Sequence, residues 1–457
     1  MGEPGNDTAP AQDPAAILRD RRFVLVLILA AVVGVIASLA AWAFLELIFY
    51  VQKWVFTDIP KDLGFESTPL LWYPPILFAG GLITALAIVR LPGRGGHIPA
   101  DGLNAAPTQP IELPGVLLAA TATLGLGLVL GPEAPLIAMG GALGALLVRA
   151  LRREQPPELG MLMSVSGTFA ALSFLFGSPI IGAVLLIEAA GLGGQRLPLV
   201  LIPGLLAAGI GTLTEIGMGS WTGLSTRNIS ISPLALPEFP RPDAVDFLWT
   251  ILLGAAVALG VFVIFRLARG SLRLATPRPF IVLPVVGLLV AGLAIAFQQT
   301  TDHGANEVLF SGENALGPIV ANPGAWSLGA LALLVVFKGA AYGLSLGTFR
   351  GGPTFPAMLL GAAGGMMAAK LPGFHLTPAV AVGIGAGVAA VLRLPLAAVV
   401  LATVLTVHTG LGSGPLIVVG VIVAYLVTIA LPEPETSPAT DEVATPTAET
   451  APSTAVG

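Results

Sequence analysis

The sequence predicts an all-α polytopic membrane protein: two structurally repeated, inverted halves built of short, tilted and broken helices. Three observations carry that expectation. Of 457 residues, 55% are hydrophobic and only 10% are charged, where a soluble domain carries about 25%. Apolar stretches recur along the chain, and several fall short of the ~20 residues a straight span needs. A Gly/Pro pattern returns at a near-constant spacing. The same composition excludes a soluble enzyme and a disordered protein. With 21 Lys+Arg against 26 Asp+Glu and a net charge of −5, the chain lacks the basic face of a nucleic-acid binder. It has no cysteine, hence no disulfide, thiol nucleophile or Cys-ligated metal. The 57 Gly and 39 Pro point to closely packed and interrupted helices.

The elements follow in order. Residues 1–22 form a polar N-terminal segment ending in Arg19, Arg21 and Arg22. The positive-inside rule therefore puts the N-terminus in the cytoplasm of a multi-pass protein of the cell membrane. The apolar run 23–50 is too long for the core of a signal peptide. Loop 51–69 has no basic bias and fits the outside; the span 70–91 returns to Arg90 and Arg94 on the inside. Further apolar segments are 113–130, 133–150, 161–176, 179–190, 198–219, 243–270, 280–298, 325–346, 354–370, 377–391, 395–409 and 413–431. Short pieces split by Gly-Pro read as half-helices that meet inside the membrane. Residues 432–457 read as a disordered acidic tail.

Gly131-Pro132-Glu133-Ala134-Pro135, with Gly140 and Gly144 after it, returns as Gly352-Pro353-Thr354-Phe355-Pro356 with Gly361 and Gly365, a constant offset of 221 residues. Gly167 and Pro179 return as Gly383 and Pro395, at an offset of 216. Ordered matches of this kind mark an internal repeat. They divide the chain into a first transmembrane repeat, 23–219, a connecting loop, 220–242, and a second repeat, 243–431. Broken helices at matching places in two halves are the sequence pointer to a solute site between them.

Three Gly-rich strings bear on that site: Gly93–Pro99, Gly127–Pro135 and Gly347–Pro356. Each has the form of a Gly/Pro loop opening a helix, where Pro is favoured in the first turn. Helix N-termini present free N–H groups and a partial positive charge, so converging ends can bind an anion with no cationic side chain. Backbone dipoles of this sort hold an ion loosely enough for it to leave. Glu133 is an ionisable residue at a helix start in an apolar stretch. A carboxylate at membrane depth costs on the order of 3 kcal/mol, of which the helix end recovers about 1–2 kcal/mol. Such an acid is a functional candidate: ionised, it occupies an anion site as a tethered competitor; neutral or displaced, it vacates it.

These residues carry a resemblance. Leu130-Gly131-Pro132-Glu133-Ala134-Pro135 resembles the Gly-Arg/Lys-Glu-Gly-Pro motif of the CLC family of chloride channels and chloride/proton antiporters. Gly95-Gly96-His97-Ile98-Pro99 resembles that family's Gly-Ser-Gly-Ile-Pro, and Gly352-Pro353-Thr354-Phe355-Pro356 its Gly-x-Phe-x-Pro. The stretch Ser178–Glu188 resembles the helix that follows the first half's motif. The likeness spans about 23–431 and implies a CLC-like fold and transport of chloride or a similar small anion. It implies gating by Glu133, an anion path along Gly95, Gly96, His97, Ile98, Pro99, Gly131, Pro132, Ala134, Gly352, Pro353, Thr354 and Phe355, a homodimer, and no cofactor or metal. The departures matter. The family's anion-binding Ser falls on Gly96, and its Phe on Thr354, whose hydroxyl is a candidate replacement. The inner proton-transfer Glu falls on Ala189, with Glu188 one position earlier and turned by about 100°, a second-choice inner proton site. None of the four Tyr fits the family's later Tyr motif. These losses favour a channel or weakly coupled transporter over a proton-coupled antiporter.

A homodimer is also expected from the small residues Ala189–Gly194 and the Gly-rich 204–213, which let helices pack closely in lipid. His97 reads as a loop histidine on the inner side. His303, His375 and His408 have no metal-ligand spacing. Lys338 and Arg393 either attract anions or snorkel to the interface. Segment 304–317 is a candidate second-half counterpart of the 95–99 loop. The rival class, an intramembrane enzyme, finds no His-Glu-x-x-His and no pair of Asp within spans.

Overall fold

A computed structural model describes residues 20–103, 108–151, 156–191, 193, 197–222 and 232–432. The expected N-terminal segment and acidic tail lie almost wholly outside the described residues. Among those described, nine helices are long and apolar enough to cross a membrane, and five apolar helices are shorter. The first half contains α1 (Arg21–Lys53), α2 (Tyr73–Arg90), α3 (Leu113–Gly125), α4 (Glu133–Ala150), α5 (Pro157–Phe176), α6 (Pro179–Ala189) and α7 (Leu197–Thr222). The second contains α8 (Ala244–Ala275), α9 (Pro279–Thr300), α10 (Glu313–Ala321), α11 (Leu328–Thr348), α12 (Thr354–Ala368), α13 (Leu376–Leu392), α14 (Pro395–Leu405) and α15 (Ser413–Ala430). Helix α1 runs on through a π-helical turn, Trp54–Asp58, into Ile59–Asp62.

The repeated glycines explain how the halves pack. A Cβ on Gly140 of α4 would lie 2.3 Å from the Gly167 carbonyl of α5, and one on Gly361 of α12 would lie 2.1 Å from the Gly383 carbonyl of α13. Gly144 against Met163 and Gly365 against Ala379 repeat the arrangement one turn later, at 2.0 and 2.2 Å. Backbones approach to contact at equivalent places in the two halves, and any side chain would part them. Between helices inside a membrane such packing replaces the hydrophobic drive available in water.

Several expectations change. The apolar run 113–130 is not one helix: α3 stops at Gly125, and Gly127 takes φ +95°, a left-handed conformation that ends the helix and leads into an extended stretch. Segment 304–317 holds a 3₁₀ turn, Ala305–Glu307, and then continues into the helix α10. Lys338 neither snorkels nor faces an ion path. It is fully buried, and the three N–H donors of its Nζ are shared among the carbonyls of Glu307, Val308, Leu309 and Phe310, at 3.0, 3.1, 3.0 and 3.3 Å. That clamp bends the chain tightly before α10. Arg393 is exposed and caps α13 in a left-handed conformation. Two glycines of α7 pack within the chain, a Cβ on Gly204 meeting the Phe169 ring at 2.9 Å and one on Gly211 the Ala170 carbonyl at 2.6 Å, while a Cβ on Gly209 would meet open space. Of the run 189–194, residues 192 and 194 lie outside the described residues.

Candidate functional site

The second and third strings meet. Gly131 N donates to Gly352 O at 2.7 Å and Gly352 N donates to Gly131 O at 2.6 Å, an isolated antiparallel bridge between the halves. Two residues at equivalent places in a repeat pair in this reciprocal way when a two-fold axis passes between them. Each string then opens a helix, α4 at Glu133 and α12 at Thr354.

Glu133 crosses the bridge. Its side chain is fully buried, and Oε1 accepts from the backbone N–H of Thr354, the first residue of α12. Its Oε2 and the buried Thr354 hydroxyl have no hydrogen-bond partner among the described residues. The glycines make the room: a Cβ on Gly352 would fall 1.9 Å from Glu133 Cδ, and one on Gly131 would fall 2.2 Å from Glu133 Oε2. A carboxylate from one half thus sits on the free N–H end of a helix from the other, a favourable place for negative charge. Around it, Tyr342 Oη donates to Pro353 O at 2.6 Å, and the Phe355 ring stacks on Phe176 with centroids 5.8 Å apart.

Two cavities lie against the bridge. One, of about 520 Å³, is lined by Leu130 and Pro132 together with residues of α1 and the 306–315 segment, including Glu307 and Glu313. The other, of about 200 Å³, is lined by Gly95, Gly96, His97, Ala134, Arg350 and Gly351 among others. Pro132 faces the first cavity and Ala134 the second, so the buried Glu133 stands between them. Of the expected path residues, Gly95, Gly96, His97 and Ala134 come together in the smaller cavity. Gly131, Gly352, Pro353, Thr354 and Phe355 form the bridge and the start of α12. Ile98 and Pro99 stand beside the smaller cavity's wall and do not line it.

The first string departs from expectation. It opens no α-helix among the described residues, only a single 3₁₀ turn, Pro99–Asp101, which Gly102 ends at φ +88°. Gly93, Arg94, Gly95 and Gly96 all have positive φ, and for Arg94 that is a strained conformation. A one-turn helix has little dipole, so two α-helix ends converge here rather than three. His97 is half-buried with Nε2 3.1 Å from Gly102 O, and burial pushes its pKa below the usual histidine range.

Glu188 lines neither cavity. Its two oxygens accept from Leu396 N and Ala397 N at 3.0 and 2.7 Å, capping the first turn of α14. His375 contacts the buried Asp246, Nδ1 to Oδ1 2.9 Å, and His303 stacks on Trp326 with centroids 3.6 Å apart; both are packing groups. Sequence reasoning missed Arg350. It belongs to the third string, whose Gly/Pro pattern points to backbone groups and carries no signal for a side-chain charge. Its Nε donates to Arg94 O at 3.4 Å and its Nη1 to Phe349 O at 3.0 Å, tying the first string to the third.

Known proteins resemble this chain on both levels. The family described as voltage gated chloride channel matches residues 80–428. Relatives bearing the name "Putative ion-transport protein YfeO", from Escherichia coli and from Shigella boydii, are each 30% identical over 356 residues, 76% of this chain and 80% of theirs. Among solved structures, a slow cyanobacterial Cl⁻/H⁺ antiporter superposes with a TM-score of 0.72 at 20% identity, over 89% of this chain and 94% of its own. A CLC-type fluoride/proton antiporter gives 0.65 at 18% identity over 89% and 95%. A eukaryotic CLC transporter gives 0.68 at 17% identity over 90% and 73%. At these identities the likeness concerns the fold.

Proposed function

The chain belongs to the voltage gated chloride channel family, and from that premise we propose that it carries chloride or a similar small monovalent anion across the membrane, past Glu133, as a channel or weakly coupled transporter. The observation that carries the proposal is the position of the Glu133 carboxylate. It lies on the α12 N-terminus between two cavities, where a passing anion would be stabilised by the same N–H. Ionised and seated, it competes with the anion; neutral or swung aside, it opens the way. Membership of a family of channels and transporters also removes the motive for an intramembrane enzyme.

Weak coupling is supported by the inner side. A proton crossing the membrane needs a titratable station there, and Ala189 cannot be one. Glu188 is held by two backbone N–H groups at the start of α14, which favours a fixed cap over a mobile proton carrier. We further propose a cytoplasmic N-terminus, from Arg19, Arg21 and Arg22, two repeats spanning about 23–219 and 243–431, and a homodimer.

The test uses purified protein in liposomes. Chloride efflux should exceed potassium efflux, and the reversal potential of the chloride current should stay at the chloride Nernst value under an imposed pH gradient. Equal leak of both ions, or none, would overturn anion transport. A shift toward the proton potential, abolished by Glu188→Ala, would establish a proton-coupled antiporter instead.

A further inference from the structure

We propose that the smaller cavity holds an anion against the guanidinium of Arg350, and that this site prefers a small planar oxyanion of nitrate-like shape to a spherical halide. The proposal deepens the transport reading and rests on it for the route by which the anion arrives.

Arg350 is only 7% exposed and lines the cavity beside Gly95, Gly96 and Ala134. A guanidinium has five N–H donors. Two of these are spent on neutral carbonyls, Arg94 O and Phe349 O, and the others have no hydrogen-bond partner among the described residues. No carboxylate among those residues forms an ion pair with it. Asp101, whose charge Arg350 feels, is already paired with Arg269. Glu112, on the cavity wall, accepts from Gln109 N at 3.1 Å. A buried cation without a counter-ion is costly by several kcal/mol, and carbonyl dipoles offset only part of that. The missing negative charge can come from solution, because the charge borders a space of about 200 Å³, several times the ~30 Å³ share of a water molecule.

The shape of the donor selects the ligand. The planar fork presents parallel N–H groups that match two oxygens of a planar oxyanion, while a halide accepts at one point. No side chain competes at Gly96, where the family's anion-binding hydroxyl is absent. Arg350 therefore supplies from the third string the polar contact that the first string lacks.

The experiment is calorimetric titration of the full chain in detergent with sodium nitrate and with sodium chloride, on wild type, Arg350→Lys and Arg350→Met. Wild type should bind nitrate more tightly than chloride. Arg350→Lys keeps the charge and loses the fork, so chloride binding should stay close to wild type while the nitrate preference disappears. Arg350→Met should weaken both anions roughly 10- to 100-fold, the worth of hydrogen bonds to a charged group. Unchanged binding in Arg350→Met, or a retained nitrate preference in Arg350→Lys, would overturn the site. Where Arg350→Met does not elute as a single folded species, the Arg350→Lys comparison decides alone. Liposome efflux separates the two ideas: binding at Arg350 without any anion efflux overturns transport and leaves the site standing, whereas efflux with binding indifferent to residue 350 does the reverse.

Discussion

Gly352→Ala tests how Glu133 is held. The added methyl would lie 1.9 Å from Glu133 Cδ and 2.3 Å from both Cγ and Oε1. Carbon atoms settle at about 3.5–4 Å, so the carboxyl must retreat by about 1.5 Å. Hydrogen bonds reach only to about 3.2 Å, and the bond to Thr354 N is lost. Alanine keeps its own N–H and C=O, so the pairing with Gly131 survives. A hydrogen bond to a charged group is worth about 1.5–3 kcal/mol, which makes the seated carboxylate roughly 10- to 100-fold less favoured. Anion efflux from liposomes, measured at one acidic and one neutral pH, should rise at the higher pH toward its acid level, flattening the response. Glu133→Gln should do the same by removing the charge. Gly364→Ala, whose methyl would meet only Val257 Cγ2 at 3.9 Å, should behave as wild type. If Gly352→Ala and Glu133→Gln both keep the wild-type ratio of rates at the two pH values, the carboxylate is not the gate.

Two further outcomes are expected. His97 is held by burial below the usual histidine range, so it is neutral at pH 7 and gains charge only as pH falls below about 6.5; His97→Gln should leave efflux unchanged at pH 7–8 and differ from wild type only in acid, as a pH series of efflux rates would record. Lys338→Met strips four buried carbonyls of their shared donor, a loss of about 3 kcal/mol or more; the apparent melting temperature in detergent should fall, and Lys338→Arg should restore part of it.

Composition and periodicity by themselves determined the lipid solvent, the helical class and most of the apolar segments, because each is a local property of the chain; the break at Gly127 inside the run 113–130 was not legible in this way. The glycines at 140, 144, 361 and 365 were legible for the same reason: a constant offset between them requires no coordinates. Glu133 stood out because an acid in an apolar stretch is costly wherever the chain folds. Only tertiary structure decided what that acid touches. Its partner is Thr354, 221 residues away, and the space it fills exists because Gly131 and Gly352 meet across the two halves. The same holds for Lys338, which sequence left between ion attraction and snorkelling and which folding buries under four carbonyls. It holds for Glu188, drawn to the α14 N-terminus, and for Arg350, whose neighbours come from the first string. Local pattern records what a segment prefers; which buried charge finds which backbone group is set by contacts between segments hundreds of residues apart.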